Sequence, residues 1–120
     1  MNNDLKQYQN RHYTYIFVRQ DISPEQQLVQ AAHVALVLGS KLKPDQVKNL
    51  YFAVIGIPNL KGFCSVMKQL GKLNIDFTTF YEDDLGDEMT AIATYPIHHK
   101  DRGELLEYKK LSLQLQNNQL

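Results

Sequence analysis

The 120-residue chain has a single cysteine and no excess of either charge, and each shortage excludes a class of protein. Cys64 alone cannot build an intramolecular disulfide framework, which suits a reducing compartment, and a cytoplasmic protein is expected. Thirteen basic residues balance thirteen acidic ones, so no global positive field draws in nucleic acid, and RNA binding would need a local patch. No apolar run reaches the roughly 20 residues that cross a bilayer. Met1, Asn2, Asn3 and Asp4 do not open a secretory leader, and no membrane role is expected. There is no nucleophile elbow, P-loop or dinucleotide fingerprint, since Gly56 and Gly62 stand alone. His12, His98 and His99 lack a metal-ligand pattern, and the acidic run from Glu82 to Glu88 does not have EF-hand spacing, so neither a metal nor a cofactor is expected.

Hydrophobic residues make up 43% and charged residues 22%, the balance of one globular domain of this length. Tyr13 to Arg19 carries aromatic or β-branched residues in both registers and reads as a strand buried on both faces. Leu50 to Ile57, closed by Pro58, reads as a second interior strand. Ile75 to Tyr81 and Met89 to Tyr95 supply two more, paired antiparallel across a short connection. Pro24 to Leu38 is Ala-, Leu-, Val- and Gln-rich without a breaker and reads as a largely buried helix ending at Gly39. Asn59 to Gly71 gives a second helix, with Leu60, Phe63, Cys64, Met67 and Leu70 as a core stripe, and Arg102 to Lys110 a third. The order β-α-β-α-β-β-α predicts an α/β fold: a single domain with a four-stranded mixed sheet and helices on both faces. The ends, 1–11 and 112–120, are Asn- and Gln-rich and expected to be flexible.

Ser23 and Gln26 have capping-box spacing around Pro24, which fixes where the first helix begins. Gln26, Gln30 and His33 then follow at intervals of four and three, a polar stripe on an otherwise apolar rod. Spacing alone leaves two readings open. In one, each side chain is satisfied locally; in the other, the stripe lines a polar pocket beside helix N–H groups able to hold a phosphate or an oxyanion. Asp84 carries the same ambiguity, because Glu82, Asp83, Asp84, Asp87 and Glu88 also form the kind of acidic turn that keeps a loop solvated.

Val18, Arg19, Gln20, Asp21, Ile22 followed by Gln30, Ala31, Ala32, His33 resembles the opening of the type II peptidyl-tRNA hydrolases, Val-Arg-x-Asp-Leu then Ala-Ala-Gln-x-x-His-Ala. Asp84, Leu85, Gly86 resembles that family's Asp-Ala-Gly, and Thr90 to Pro96 its Thr-Val-Leu-x-Ile-x-Pro ending. Asn74, Ile75, Asp76 and the segment Leu106 to Leu111 are similar to a divergent branch of proteins containing a peptidyl-tRNA hydrolase type II domain. The resemblance covers residues 12–111, and its ordered set of short motifs is more specific than any one of them.

The resemblance implies hydrolysis of the ester between a peptide and the terminal ribose of tRNA, a peptidyl-tRNA or RNA 3′ end as partner, and a homodimer. It implies Asp84 as base or water-orienting carboxylate, Thr90 as a hydroxyl that holds water or ester, and His33 as a second proton-transfer group. Arg19, Asp21, Gln26 and Gln30 fall on the substrate-binding side. Two departures bear on rate: Gln26 stands where the family has a lysine, and only Asp87, Glu88 and Met89 fill a loop that is longer in the family. Neutral amides and backbone N–H groups would then stabilise the oxyanion, which predicts slow chemistry or none. The rival expectation is a non-catalytic RNA- or protein-binding module retaining the fold; hydrolysis of another acyl ester or amide is a third. Phosphate binding beside so many acids would require Arg19, Lys41, Lys43 or Lys48 to offset them.

Overall fold

The strand that alternates aromatic and small residues, β1 (His12–Arg19), is buried along all but its first residue and organises everything else. In the computed structural model, residues 9–113 are described; of the ends expected to be flexible, 1–11 and 112–120, the parts 1–8 and 114–120 lie outside them. After β1 come α1 (Pro24–Gly39), a one-turn α2 (Pro44–Lys48), β2 (Leu50–Ile57), α3 (Leu60–Lys72), β3 (Phe77–Glu82), β4 (Glu88–Thr94) and β5 (Ile97–His98). Two short 3₁₀ segments, His99–Asp101 and Gly103–Glu107, follow. The sheet runs β2-β1-β4-β3, with β1 parallel to β2 in register His12 to Leu50 through Arg19 to Ile57 and antiparallel to β4.

Because successive strand residues face opposite ways, β1 feeds two cores. Tyr13, Tyr15 and Phe17 pack with Ile55, Ile57 and Ile92 under Phe63, Val66 and Leu70 of α3. Ile16 and Val18 pack with Ala91 and Ala93 under Val34 and Leu38 of α1. The mixed α/β sheet with a helix on each face is therefore as expected. Each fully buried large apolar side chain contributes on the order of 1.5–3 kcal/mol. Gly62 lets α3 come close, since a Cβ there would sit 2.6 Å from Ile57 Cγ2.

Several expectations are corrected. The sheet has five strands, not four, because β5 pairs with the start of β1 through His12–His98 and Tyr13–Ile97. β2 is an outer strand, not an interior one: Ala53, Ile55 and Ile57 face inward while Tyr51 and Phe52 are exposed. The third helix is replaced by 3₁₀ turns and an extended stretch. Lys109 C=O accepts from Gly56 N–H and Leu111 N–H donates to Val54 C=O, so backbone groups a helix would need are spent closing the free edge of β2. Helix α1 buries only Gln27, Gln30, Val34 and Leu38 and exposes Leu28, Val29 and Leu36, because a single sheet lies beneath it. Cys64 is exposed, since the buried stripe of α3 is Phe63, Val66 and Leu70, and Cys64 projects to one side of it.

Between the β1–β4 ladder, Ile16 to Val18 with Ala91 to Ala93, and the β1–β5 pair, side chains take over from backbone. Tyr15 N–H donates to Thr94 Oγ1 at 2.9 Å, and Thr14 Oγ1 donates to Thr94 C=O at 3.1 Å. Both threonines are fully buried, so water cannot replace either bond. Thr94→Val, which keeps shape and removes the acceptor, is expected to cost about 1–3 kcal/mol in urea unfolding; a loss below about 0.5 kcal/mol would show that Tyr15 N–H finds another partner.

Candidate functional site

The C-terminal end of β1, the first turns of α1 and the β3–β4 connection meet at one end of the sheet. Ser23 caps α1 by accepting from Gln26 N–H at 3.2 Å, with Pro24 at the first helical position. The capping box is half formed, because the Gln26 amide oxygen instead accepts from Gln30 Nε2 at 3.1 Å. Gln30 is fully buried, and its Nε2 also donates to Glu82 Oε2 at 2.8 Å. Thr90 Oγ1, fully buried on β4, donates to Gln30 Oε1 at 2.7 Å. One amide thus joins the helix, the end of β3 and the start of β4.

A β-bulge aims Thr90 at the helix. Phe80 pairs with Ala91 while Tyr81 pairs with Met89, leaving Thr90 as the extra residue on β4. Alternation reverses there: Ala91 and Ala93 face α1, Met89 faces the α3 side, and Thr90 turns to α1 with Ala91. In an unbroken strand Thr90 would point at the opposite core.

Arg19 forms the neighbouring half of the site. Its Nε and Nη2 donate to the two Asp21 oxygens at 2.9 and 2.7 Å, a bidentate pair. Its Nη1 reaches Glu88 Oε2 at 3.2 Å and Met89 C=O at 3.3 Å, one residue from Thr90. The Arg19 hydrogen bonds hold the Asp21 carboxyl below its usual range against the opposing effect of burial. The Gln30 amide and then Asp84 N–H do the same for Glu82.

The connection itself is acidic and tightly wound. A 3₁₀ turn, Asp83–Leu85, ends at Gly86 with φ 74°, followed by Asp87 with φ 59°. Two successive left-handed residues explain the glycine at the first and the asparagine-like tolerance of aspartate at the second. Asp87, sharing a hydrogen bond with Asp83, pushes the Asp83 carboxyl up. Asp84 is exposed, its N–H donates to Glu82 Oε1 at 3.3 Å, and its carboxylate makes no hydrogen bond or ion pair among the described residues.

Gln26, Gln30, Thr90, Arg19 and Asp21 therefore come together, with Asp84 on the rim. His33 is exposed on α1 and stacks flat on Phe80, centroids 4.6 Å apart, outside the hydrogen-bonded chain. Of the cations expected to offset the acids, Arg19 is present but paired, and Lys41 bonds Thr78 Oγ1 at the far end of α1. Glu82 and Glu88, expected only in an acidic turn, join the network as acceptors for Gln30 and Arg19. Their positions flanking the short β3–β4 connection were the available signal. Gln27, also buried, donates to Ile22 C=O at 2.8 Å and fixes the loop before the helix. Among the described residues no group of three or more His, Cys, Asp or Glu is placed to hold a metal ion, and no helix is long and apolar enough to cross a membrane.

Chemically, the site offers an exposed carboxylate, Asp84, and the amide N–H₂ of Gln26, whose oxygen is already taken by Gln30. No family model matches the chain, and no curated protein matches it.

Asp21 titrates below its unfolded value, so its contribution to stability is fully present above roughly pH 4 and is lost as pH falls through the lower folded value. Carbon-detected titration should show Asp21 rising in Arg19→Gln, and Glu82 rising in Gln30→Met. Unchanged titration of both would refute the hydrogen bonds as the cause.

Proposed function

We propose that this chain is a type II peptidyl-tRNA hydrolase-like protein that cleaves the ester between peptide and tRNA slowly. The observation that carries the reading is the 2.7 Å hydrogen bond from Thr90 to Gln30. It joins the two segments whose sequences resemble that family, 60 residues apart in the chain, at the end of the sheet where α1 begins. Water attacks the ester carbonyl carbon and gives its proton to Asp84. The tetrahedral oxyanion accepts from the Gln26 amide and helix N–H groups, and collapse breaks the bond to the ribose oxygen, which takes the proton. His33 stands as the second proton-transfer group. Arg19 and Asp21 shape the substrate side, with Thr90 and Gln30 holding the carboxylate-bearing connection against α1. Gln26 supplies a neutral donor where the family has a charged one, and the rate is correspondingly low. The protein acts in the cytoplasm on peptidyl-tRNA, as a homodimer.

A second reading is supported by the saturation of the site: Arg19 is neutralised by Asp21 and Glu88, and Thr90 is sealed beneath Gln30. On that reading the chain is a non-catalytic RNA- or protein-binding module. An N-blocked aminoacyl-tRNA separates the two. Hydrolysis above background is expected, falling about 10-fold or more in Asp84→Asn and rising by a similar factor in Gln26→Lys. No turnover at high enzyme concentration defeats the enzymatic reading; tRNA binding that weakens with salt, without hydrolysis, then identifies an RNA-binding module.

A further inference from the structure

A cleft of about 540 Å³ opens at the other end of β1, lined by the start of β1 and β2 and by the 3₁₀ segments. Tyr13 on its wall and Arg19 at the site above are six residues apart, roughly 20 Å along a strand. The cleft is lined by Arg11, Lys100, Arg102, Lys110 and His99, and among the described residues no carboxylate lines it. In a chain with no net charge, this is a local concentration of one sign.

Arg102 is built into this wall. Its guanidinium lies 3.7 Å above the centre of the Tyr13 ring and 5.4 Å from that of Tyr15. Its Nε donates to the Tyr15 hydroxyl at 3.0 Å. No carboxylate among the described residues forms an ion pair with it. Stacking fixes the plane of the fork, the single Nε bond sets its rotation, and the terminal N–H₂ groups keep their donors for an anion. Arg11 lies 4.3 Å over the Tyr51 ring. Lys100 and Lys110 are exposed and supply mobile charge at the mouth. The same cleft includes Phe52 and Leu106, 57% and 62% exposed, an apolar surface beside the cations.

We infer that this cleft binds a nucleotide, with the phosphate on the Arg102 fork and the base on Phe52 and Leu106. Oriented guanidinium donors match phosphate oxygens, and an exposed aromatic ring accepts any base by stacking. The volume lies within the range of pockets for small ligands of this size. The ligand is either a free nucleotide or a nucleotide of an RNA strand, and the chemistry recognised is the same. The inference does not depend on hydrolysis at the other end of β1.

Amide NMR of the full chain, titrated with inorganic phosphate, AMP and a short oligoribonucleotide, tests it. AMP should give saturable shifts at Phe52, Gly103 and Leu106 and bind at least about 10-fold tighter than phosphate. The double variant Lys100→Glu/Lys110→Glu, confined to exposed positions, should weaken AMP about 10-fold or more, and Arg102→Lys should also weaken it. Asp84→Asn, aimed at the proposed hydrolysis, should leave this binding unchanged. Tighter binding of the oligoribonucleotide than of AMP assigns the source to RNA, and equal binding to the free nucleotide. Absence of saturable shifts, equal affinity for phosphate and AMP, or wild-type affinity in the double variant would each overturn the assignment.

Discussion

An amide and a hydroxyl buried side by side away from water are tolerable only where each satisfies the other, and Gln30 with Thr90 is that arrangement here. Gln30 uses both ends of its amide: the oxygen accepts from Thr90, and the nitrogen donates to Gln26 and Glu82. A single buried group therefore fixes the first turn of α1 against the end of β3 and the bulge of β4. An apolar residue at position 30 would leave Thr90 Oγ1 and Glu82 seeking other partners. A shift of β4 by one residue would turn Thr90 into the wrong core.

The two ends of β1 are chemically distinct. At its C-terminal end, positive charge is consumed locally by Asp21 and Glu88, and the surrounding connection is acidic. At its N-terminal end, Arg102 is held by aromatic faces and a phenol instead of by acids. The net charge of zero averages over these two environments and describes neither. RNA binding, if governed by phosphate contacts, is better served by the second end, while ester chemistry as proposed belongs to the first.

Much of the fold was legible because it rests on local signals. β1 alternates in both registers and is buried on both faces; Ser23 and Pro24 mark the start of α1, and Asn59, whose side chain accepts from Gly62 N–H, marks that of α3. What escaped rests on long-range pairing. Nothing in Ile97 and His98 announces a two-residue strand until β1 is beside them, and Arg102 to Lys110 has a helical composition that loses to the open edge of β2. The site was half legible in the same sense. Gln26, Gln30 and Thr90 were identified, and they do meet. The bulge that makes them meet, and the entry of Glu82 as acceptor for Gln30, depend on pairing between β3 and β4 that no periodicity encodes.

A double-mutant cycle on Gln30→Met and Thr90→Val, read by urea unfolding, tests this dependence most directly. If the buried pair joins helix and hairpin, each single change destabilises, and the double costs less than the sum by about 1 kcal/mol or more. Additivity within about 0.3–0.5 kcal/mol would contradict the account, because the two side chains would then be satisfied independently.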